Sequence, residues 1–503
     1  MKKLLIVWSM LLALSTMGWA AAIDHSDVAG GCLEPLALPA DKILRISKAE
    51  VEFEHHGYLP ISSAVEAYQH WDDEIFPIPL DAVKVGFERV VPTLYEGEIV
   101  RFDVYDPLYI RTIRVAISTD QFAGIEHREL RFTPTSRLYV EEKGTGRGFV
   151  LKPGEEAVVT AQGGRFHVVD GQGSTWEFGP RIYVEADPGG LVQINSFKRG
   201  VGTRFYPQYR GRFELTVAEE SFFLAINEVS LEEYLIQVVP SEMPISWPME
   251  ALKAQAVAAR TFAVAQAVYS RQGHLGFHVA DSTNSQVYNN EVESARTTQA
   301  ILETAGQILV KPDGTVGSTY FYSTSPRAIL TSQGSWQDLS QLALEGGSPW
   351  FRWKCSFSRE ELAKLLGYLL PTGFGEITAL EVAERDELGR VVILRIVGTA
   401  GQVSISGELN VRRALQPASL ERVRDKIGRQ TLLPSASFFL DQEREAGGGL
   451  KAVHVYGGGA GHQLGMSQWG AKGMAESGYD YLSILREYYP DTHLITHSEQ
   501  LRY

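Results

Sequence analysis

The stretch from Pro248 to Gln272, "PMEALKAQAVAARTFAVAQAVYSRQ", limits the fold more than any other part of the chain. Its composition predicts a helix over 248–272, and Pro248 suits a first turn. Ala, Val, Leu and Phe nevertheless fall on every side of it, and a helix with no polar face has to be buried. With 503 residues, 44% of them hydrophobic and 21% charged, the chain can build two or three cores to enclose it. At about 100° per residue, Lys253 and Arg260 lie about 20° apart on one line, while Gln255 and Gln266 share a different face. Burying two unpartnered cations would cost roughly several kcal/mol each. They therefore meet carboxylates, with Glu242 one candidate, or they line a solvent-filled cleft.

Glu242 stands just ahead of this helix, in "VVPSEMPISWP". By position it reads as a helix cap or a salt-bridge partner. Its neighbours Met243, Pro244 and Trp247 support a second reading, because apolar surroundings favour a neutral carboxyl and raise its pKa, as a general acid near neutral pH requires. No second carboxylate stands at a telling spacing, since Glu232, Glu233 and Glu250 read as exposed helix charges. Most glycosidases use a carboxylate pair. One acid is enough where the substrate's own hydroxyl is the nucleophile, because a single group can protonate the leaving oxygen and then take the nucleophile's proton.

Two further runs hold candidate ligand-binding groups. "TYFYSTSPR" lines up Tyr322, Ser323, Thr324 and Ser325, neutral hydroxyls suited to a polyhydroxylated ligand or to a turn-rich strand end. "GGGAGHQLGMSQWGAKG" sets His462, Gln468 and Trp469 among glycines that let backbone approach a ligand closely. With no HxH or CxxC spacing, no metal site and no cofactor are expected.

The rest of the chain predicts an α+β fold. From Ile43 to Val217 the periodicity is mostly two, broken by Gly, Pro and Asp turns, which predicts a β-rich lobe with one helix near "SSAVEAYQHWDDEI". Helices are then expected at 229–238, 248–272 and 291–304. "GSTYFYSTS" reads as a strand, "SREELAKLLGYLL" as a helix capped by its serine, "ITALEVAERDELGRVVILRIVG" as a hairpin and "GELNVRRALQ" as a short helix. Residues 425–449 read as a flexible polar stretch. The opening "MKKLLIVWSMLLALSTMGWAAA" has the pattern of a secretory signal at 1–22, against the alternative of an uncleaved anchor, followed by a linker at 23–43. Export to the periplasm or cell envelope follows. The net charge of −14 argues against nucleic acid as a partner. Of the two cysteines, Cys32 and Cys355, pairing and idle thiols are equally open.

The run "INEVSLEEYLIQVVPSEMPISWPMEALKAQAVAARTFAVAQ" resembles the signature of the SpoIID/LytB family, which comprises stage II sporulation protein D and amidase enhancers. "YRGRFEL", "DSTNSQVY", "YSTS" and "GHQLGMSQWGAKGMAESGYDYLSILREYYPDTHL" follow the family's order. The resemblance covers roughly Ile113 to Leu494 and is most specific over 226–266 and 457–494. Together with the period-two patterning, which gives a separate β-rich region at 44–110, it implies a β-rich first part of the SpoIID-like lobe at 111–225 and the core at 226–350. An inserted smaller α/β subdomain at 351–450 and a closing glycine-rich motif at 451–497 complete it.

The resemblance also implies a lytic transglycosylase that cuts peptidoglycan glycan strands lacking stem peptides. Glu242 would be the acid/base and the MurNAc 6-hydroxyl the nucleophile, leaving 1,6-anhydro ends. Lys253, Arg260, Tyr322, Ser323, Thr324, Ser325, His462 and Gln468 would bind substrate. The rival implication is a non-catalytic enhancer of a cell-wall amidase. Three departures stand out. A Cys/His zinc site of some members is replaced by Ala280, Asn284 and Ser285. The family's "HSTSGG" is "YSTSPR", with Tyr322, Pro326 and Arg327 in place of His and two glycines. Ala460 and Gln463 replace the closing motif's usual Trp and Gly.

Overall fold

In a computed structural model the described residues are 34–496, apart from 72, 107–109, 201–202, 270–271, 283–284, 327–341 and 346. The expected signal at 1–22, Cys32, Asn284 and Arg327 lie outside them. The fold is α+β, with a strand-rich first half and helices gathered in the middle and at the end of the chain.

The first seven strands form one sheet, which begins at Leu36–Ala37 and so takes in part of the expected linker. The helix expected near Ser62 is instead part of the long strand Gly57–Trp71. Ala and Glu lean towards helix, but this segment has partners on both edges: Ala67 sits opposite Phe102 in a parallel pair and opposite Ile78 in an antiparallel one. Burial alternates accordingly, with Ala67 and Gln69 inside. Cross-strand packing overrides the local preference.

Two further sheets follow. An eight-stranded one includes Arg181–Ala186, Arg212–Glu219, Phe222–Ser230 and Thr112–Ala116, and a six-stranded one includes Glu129–Pro134 and Ala157–Gln162. They meet face to face through ring contacts such as Phe132 with Phe213 (5.6 Å) and Phe166 with Phe223 (5.3 Å). The strand Phe222–Ser230 runs straight into helix α1, Leu231–Glu242, whose first turn Ser230 caps by accepting from the Glu233 N–H. Helix α2, Met249–Val268, is the apolar rod, and sixteen of its residues are buried. Around it pack α1, α3 (Ala295–Glu303), α7 (Gln468–Glu476) and α8 (Tyr481–Tyr488).

Between these helices the chain builds a second core. After the short α4 (Leu342–Glu345), strands, α5 (Arg359–Leu366) and α6 (Glu408–Ala414) enclose Trp353, Phe357, Leu362, Leu394 and Val455. Ser358 and Glu361 make a reciprocal capping box at α5. The stretch expected to be a flexible loop at 425–449 contains the strand Phe438–Arg444, paired with Leu450–Gly457. Its polar residues hid the pattern because only alternate side chains, Phe438 and partly Leu440, turn inward. Cys355 is a buried thiol of this core.

Buried charges join the first sheet to the second. Arg114, wholly buried on Thr112–Ala116, pairs with Glu214 at 2.8 Å and with Glu228, and Glu228 also holds Lys42 at 2.6 Å and Arg212 at 3.1 Å. Lys42 immediately precedes the strand Ile43–Ile46, so this network pins the N-terminal sheet to the helix-bearing lobe. Truncating one member of such a network strands the others. Arg114→Met is expected to lose about 3–5 kcal/mol of stability in denaturant unfolding, whereas a loss under about 1 kcal/mol would contradict this role for the network.

Candidate functional site

Helix α1 continues four residues past its expected end and takes in Pro240, so Glu242 is its last helical residue and not part of a loop. The helix stops there because Met243 precedes Pro244 and adopts extended angles (φ −126°, ψ 140°). The Glu242 carboxyl thus lies at the negative end of a helix dipole. Its Oε1 accepts the Val287 backbone N–H at 2.8 Å, and the Gln468 side chain bonds to it from α7. Gln468 in turn reaches Gln255 of α2 at 3.5 Å. Desolvation raises the Glu242 pKa to about 7, against the lowering effect of the Val287 and Gln468 bonds.

The segment that carries Val287 is rigidly held. Gln286 accepts from the Tyr234 hydroxyl at 3.1 Å and donates to the Ala259 carbonyl at 3.2 Å. Tyr288 donates to Asn227 at 2.9 Å, and the Asn289 N–H bonds to Ser241 beside Glu242. Asp281, at the start of the same motif, holds the buried Arg199 at 2.8 Å. The "DSTNSQVY" run therefore works mainly as scaffold that aims one N–H at the acid.

One wall of the site comes from two distant runs. Phe321–Tyr322 pairs in parallel with Met466–Ser467, Thr324 bridges Ala460, and the Trp469 N–H bonds to the Ser323 carbonyl at 3.0 Å. Gly465 is required by this approach: at φ 76°, a Cβ there would fall 1.9 Å from the Tyr320 carbonyl. Trp469 meets Trp247 edge to face, with ring centroids 5.0 Å apart. The ring of His462 lies beside Tyr322 (5.7 Å) and Tyr320 (6.0 Å), and burial lowers its pKa.

Not every expected site residue faces this wall. Arg260 is wholly buried, held by Glu232 through two bonds of 2.8 and 2.7 Å and by the carbonyls of Ile301 and Gln307. Lys253 pairs with Glu250 at 3.0 Å and Glu303 at 2.7 Å. Both cations point about 140–160° around α2 from Gln255, away from Glu242. They tie α2 to α1 and α3, and Glu232 and Glu250 are their partners, not idle surface charges. Thr324 is also withdrawn, because its buried hydroxyl bonds Ser348 at 2.6 Å. Ser323 bonds Thr324, the Ser325 N–H bonds Glu345 and Ser467, and Tyr322 is buried in the wall. Gln255 and Val287 were missed as site residues. Gln255 could have been found from its place on the face opposite the two cations; Val287 acts through its backbone and leaves no side-chain signal.

An α+β protein with a desolvated glutamate at a helix end, faced by a glycine-rich wall, is the class that fold and site define. Residues 219–310, which hold Glu242 and α2, match the family model described as Stage II sporulation protein, the SpoIID family. Residues 329–465, which include the second core, match a domain of unknown function (DUF8618). Stage II sporulation protein D of Bacillus amyloliquefaciens is 29% identical over 288 residues, covering 53% of this chain and 74% of its own. The amidase enhancer of Bacillus subtilis is 29% identical over 52% of this chain but only 40% of its own length. An uncharacterised protein of Brachyspira hyodysenteriae is 28% identical over 55% of this chain and 69% of its own. Among the described residues no helix is long and apolar enough to cross a membrane.

The raised Glu242 carboxyl has a consequence for stability. Its folded pKa of about 7 exceeds the ordinary value of 4.5, so the folded chain holds a proton that the unfolded chain releases between those values. Stability from this group is full below pH 4.5 and falls as pH rises through 7. Glu242→Gln removes that loss. The variant should gain about 1–3 kcal/mol over the native chain between pH 4 and pH 8 in denaturant unfolding. Parallel pH profiles for the two proteins would contradict it.

Proposed function

We propose that the protein is an exported lytic transglycosylase that cleaves peptidoglycan glycan strands lacking stem peptides. The observation that carries this reading is the Glu242 carboxyl, raised to about 7 by desolvation and held by the Val287 N–H. A carboxyl with such a pKa is populated both as acid and as base near neutrality, which suits a single group that performs both steps.

In this mechanism, protonated Glu242 gives its proton to the glycosidic oxygen as the bond from C1 to that oxygen breaks. The MurNAc 6-hydroxyl then attacks C1, and the Glu242 carboxylate takes the hydroxyl proton. A new O6–C1 bond closes the anhydro ring, no water is consumed, and the acid ends protonated as it began. Gln468 and the Val287 N–H keep the carboxyl oriented through both transfers. His462 remains the side chain of the wall best suited to contact sugar, whereas Gln468 is buried and bonded to Glu242 and Gln255. Lys253 and Arg260 support the reaction only by fixing α2.

A second reading is a non-catalytic enhancer that binds the cell wall or an amidase; the Bacillus subtilis relative is named an amidase enhancer. Pro326 favours it. Where the family has glycine, this ring packs so tightly on Gly459 that an added Cβ there would lie 2.8 Å from it, and Thr324 beside it spends its hydroxyl internally. Incubation with amidase-stripped glycan strands separates the two readings. The transglycosylase yields anhydro-muramyl products by mass spectrometry, and Glu242→Gln lowers their rate at least about a hundredfold. No product from the native chain, together with acceleration of an added amidase, would establish the enhancer instead.

A further inference from the structure

The face of α2 that carries Gln255, and through Gln468 reaches Glu242, leads on to a second feature that the acid/base chemistry does not use. Phe262 is seven residues beyond Gln255, hence about 20° around the helix and about 10 Å along it. Against Phe262 stands Tyr320, with ring centroids 5.8 Å apart at 68°. Its other ring neighbour is His462, at 6.0 Å and 77°. The backbone of Tyr320 is fixed from two sides: its carbonyl accepts the Met466 N–H at 3.0 Å and the Tyr489 hydroxyl at 2.7 Å. The His462 ring is itself set by the Leu464 N–H, which bonds its Nδ1 at 3.1 Å. Despite all this Tyr320 keeps 43% of its surface exposed, and Leu464 beside it keeps 40%.

A single exposed tyrosine on a protein surface is ordinary. This one is wedged between two rings just before the strand Phe321–Tyr322, against the face of α2 that carries Gln255, the partner of Gln468, at the glycine-rich wall. Rigid aromatic surface with a hydroxyl at its edge suits a partner that is apolar on one face and polar at its rim. A pyranose ring is such a partner. The acidic net charge of the chain, −14, disfavours a polyanionic ligand in the same place.

We propose that Tyr320, backed by Phe262 and His462, forms a second sugar-binding subsite that holds a ring of the glycan strand about 10 Å along α2 from Gln255. This rests on the reading of the cleft as a glycan site, and it adds a chain-length requirement to it. Short oligosaccharides that occupy only the Glu242 level gain nothing from Tyr320. Strands long enough to reach it gain affinity and are held in register for cleavage.

The test uses the full chain with Glu242→Gln to stop turnover, and stem-peptide-free GlcNAc–MurNAc oligosaccharides of two, four and six sugars, with affinity read by calorimetry. Affinity is expected to rise with length. Adding Tyr320→Ala should abolish that rise, weakening the longest ligand about tenfold while leaving the shortest unchanged. Tyr320→Phe should retain the rise. Equal loss at every length, no loss at any length, or no binding of any length by the Glu242→Gln parent would overturn the subsite. The catalytic reading fails separately: length-dependent, Tyr320-sensitive binding without anhydro products from the native chain leaves the subsite standing. Anhydro products with Tyr320→Ala as active as the native chain on long strands remove the subsite and leave the catalysis.

Discussion

Everything around the site depends on burying a helix that has no polar face. Helix α2 has to be enclosed on all sides, and the chain does this with four other helices and the end of a sheet. That enclosure brings Glu242 from α1, Val287 from the loop after α2 and Gln468 from α7 to one point. The charged residues of α2 are absorbed in the process. Arg260 is worth keeping inside only because Glu232 and two carbonyls complete it, as a buried cation requires. The geometry of the acid and the solidity of the rod around it are thus one structural fact.

The Glu242 environment balances opposing effects. Desolvation and the helix C-terminus favour the protonated form, while the Val287 N–H and Gln468 favour the ionised one. Desolvation prevails, but only to about 7, which leaves both forms accessible. A carboxyl paired with Lys253 or Arg260 would have been pulled the other way, so turning those cations to the far face of α2 is what lets Glu242 keep its proton. The glycine-rich wall matters for a different reason. It holds two strands so close that Gly465 tolerates no side chain, and this fixes the rings of Tyr320, Tyr322 and His462.

Much of this was legible in the sequence, and the failures have physical reasons. The burial of α2 and the α+β class followed from composition and periodicity, whereas the contact of Glu242 with Gln468 did not, because it joins two helices far apart in the chain. The line of cations was read correctly as a line but assigned to the wrong side, because helical angles fix relative directions and not which face meets the cleft. The strand at Gly57–Trp71 was hidden by helix-favouring residues whose partners come from sequence-distant strands. Thr324 looked available because its partner Ser348 lies in a loop that no local pattern could place against it. Backbone donors such as Val287 leave no trace in residue identity at all.

The central claim is that one glutamate keeps a proton near neutral pH inside this enclosure. Carbon-13 NMR of protein labelled at the glutamate side-chain carboxyl, titrated from pH 3 to pH 9 and compared with Glu242→Gln, measures it directly. The account predicts one carboxyl resonance that titrates near 7 and is missing from the variant. If every glutamate resonance of the native chain titrates below about pH 5, as ordinary carboxylates do, the claim is wrong.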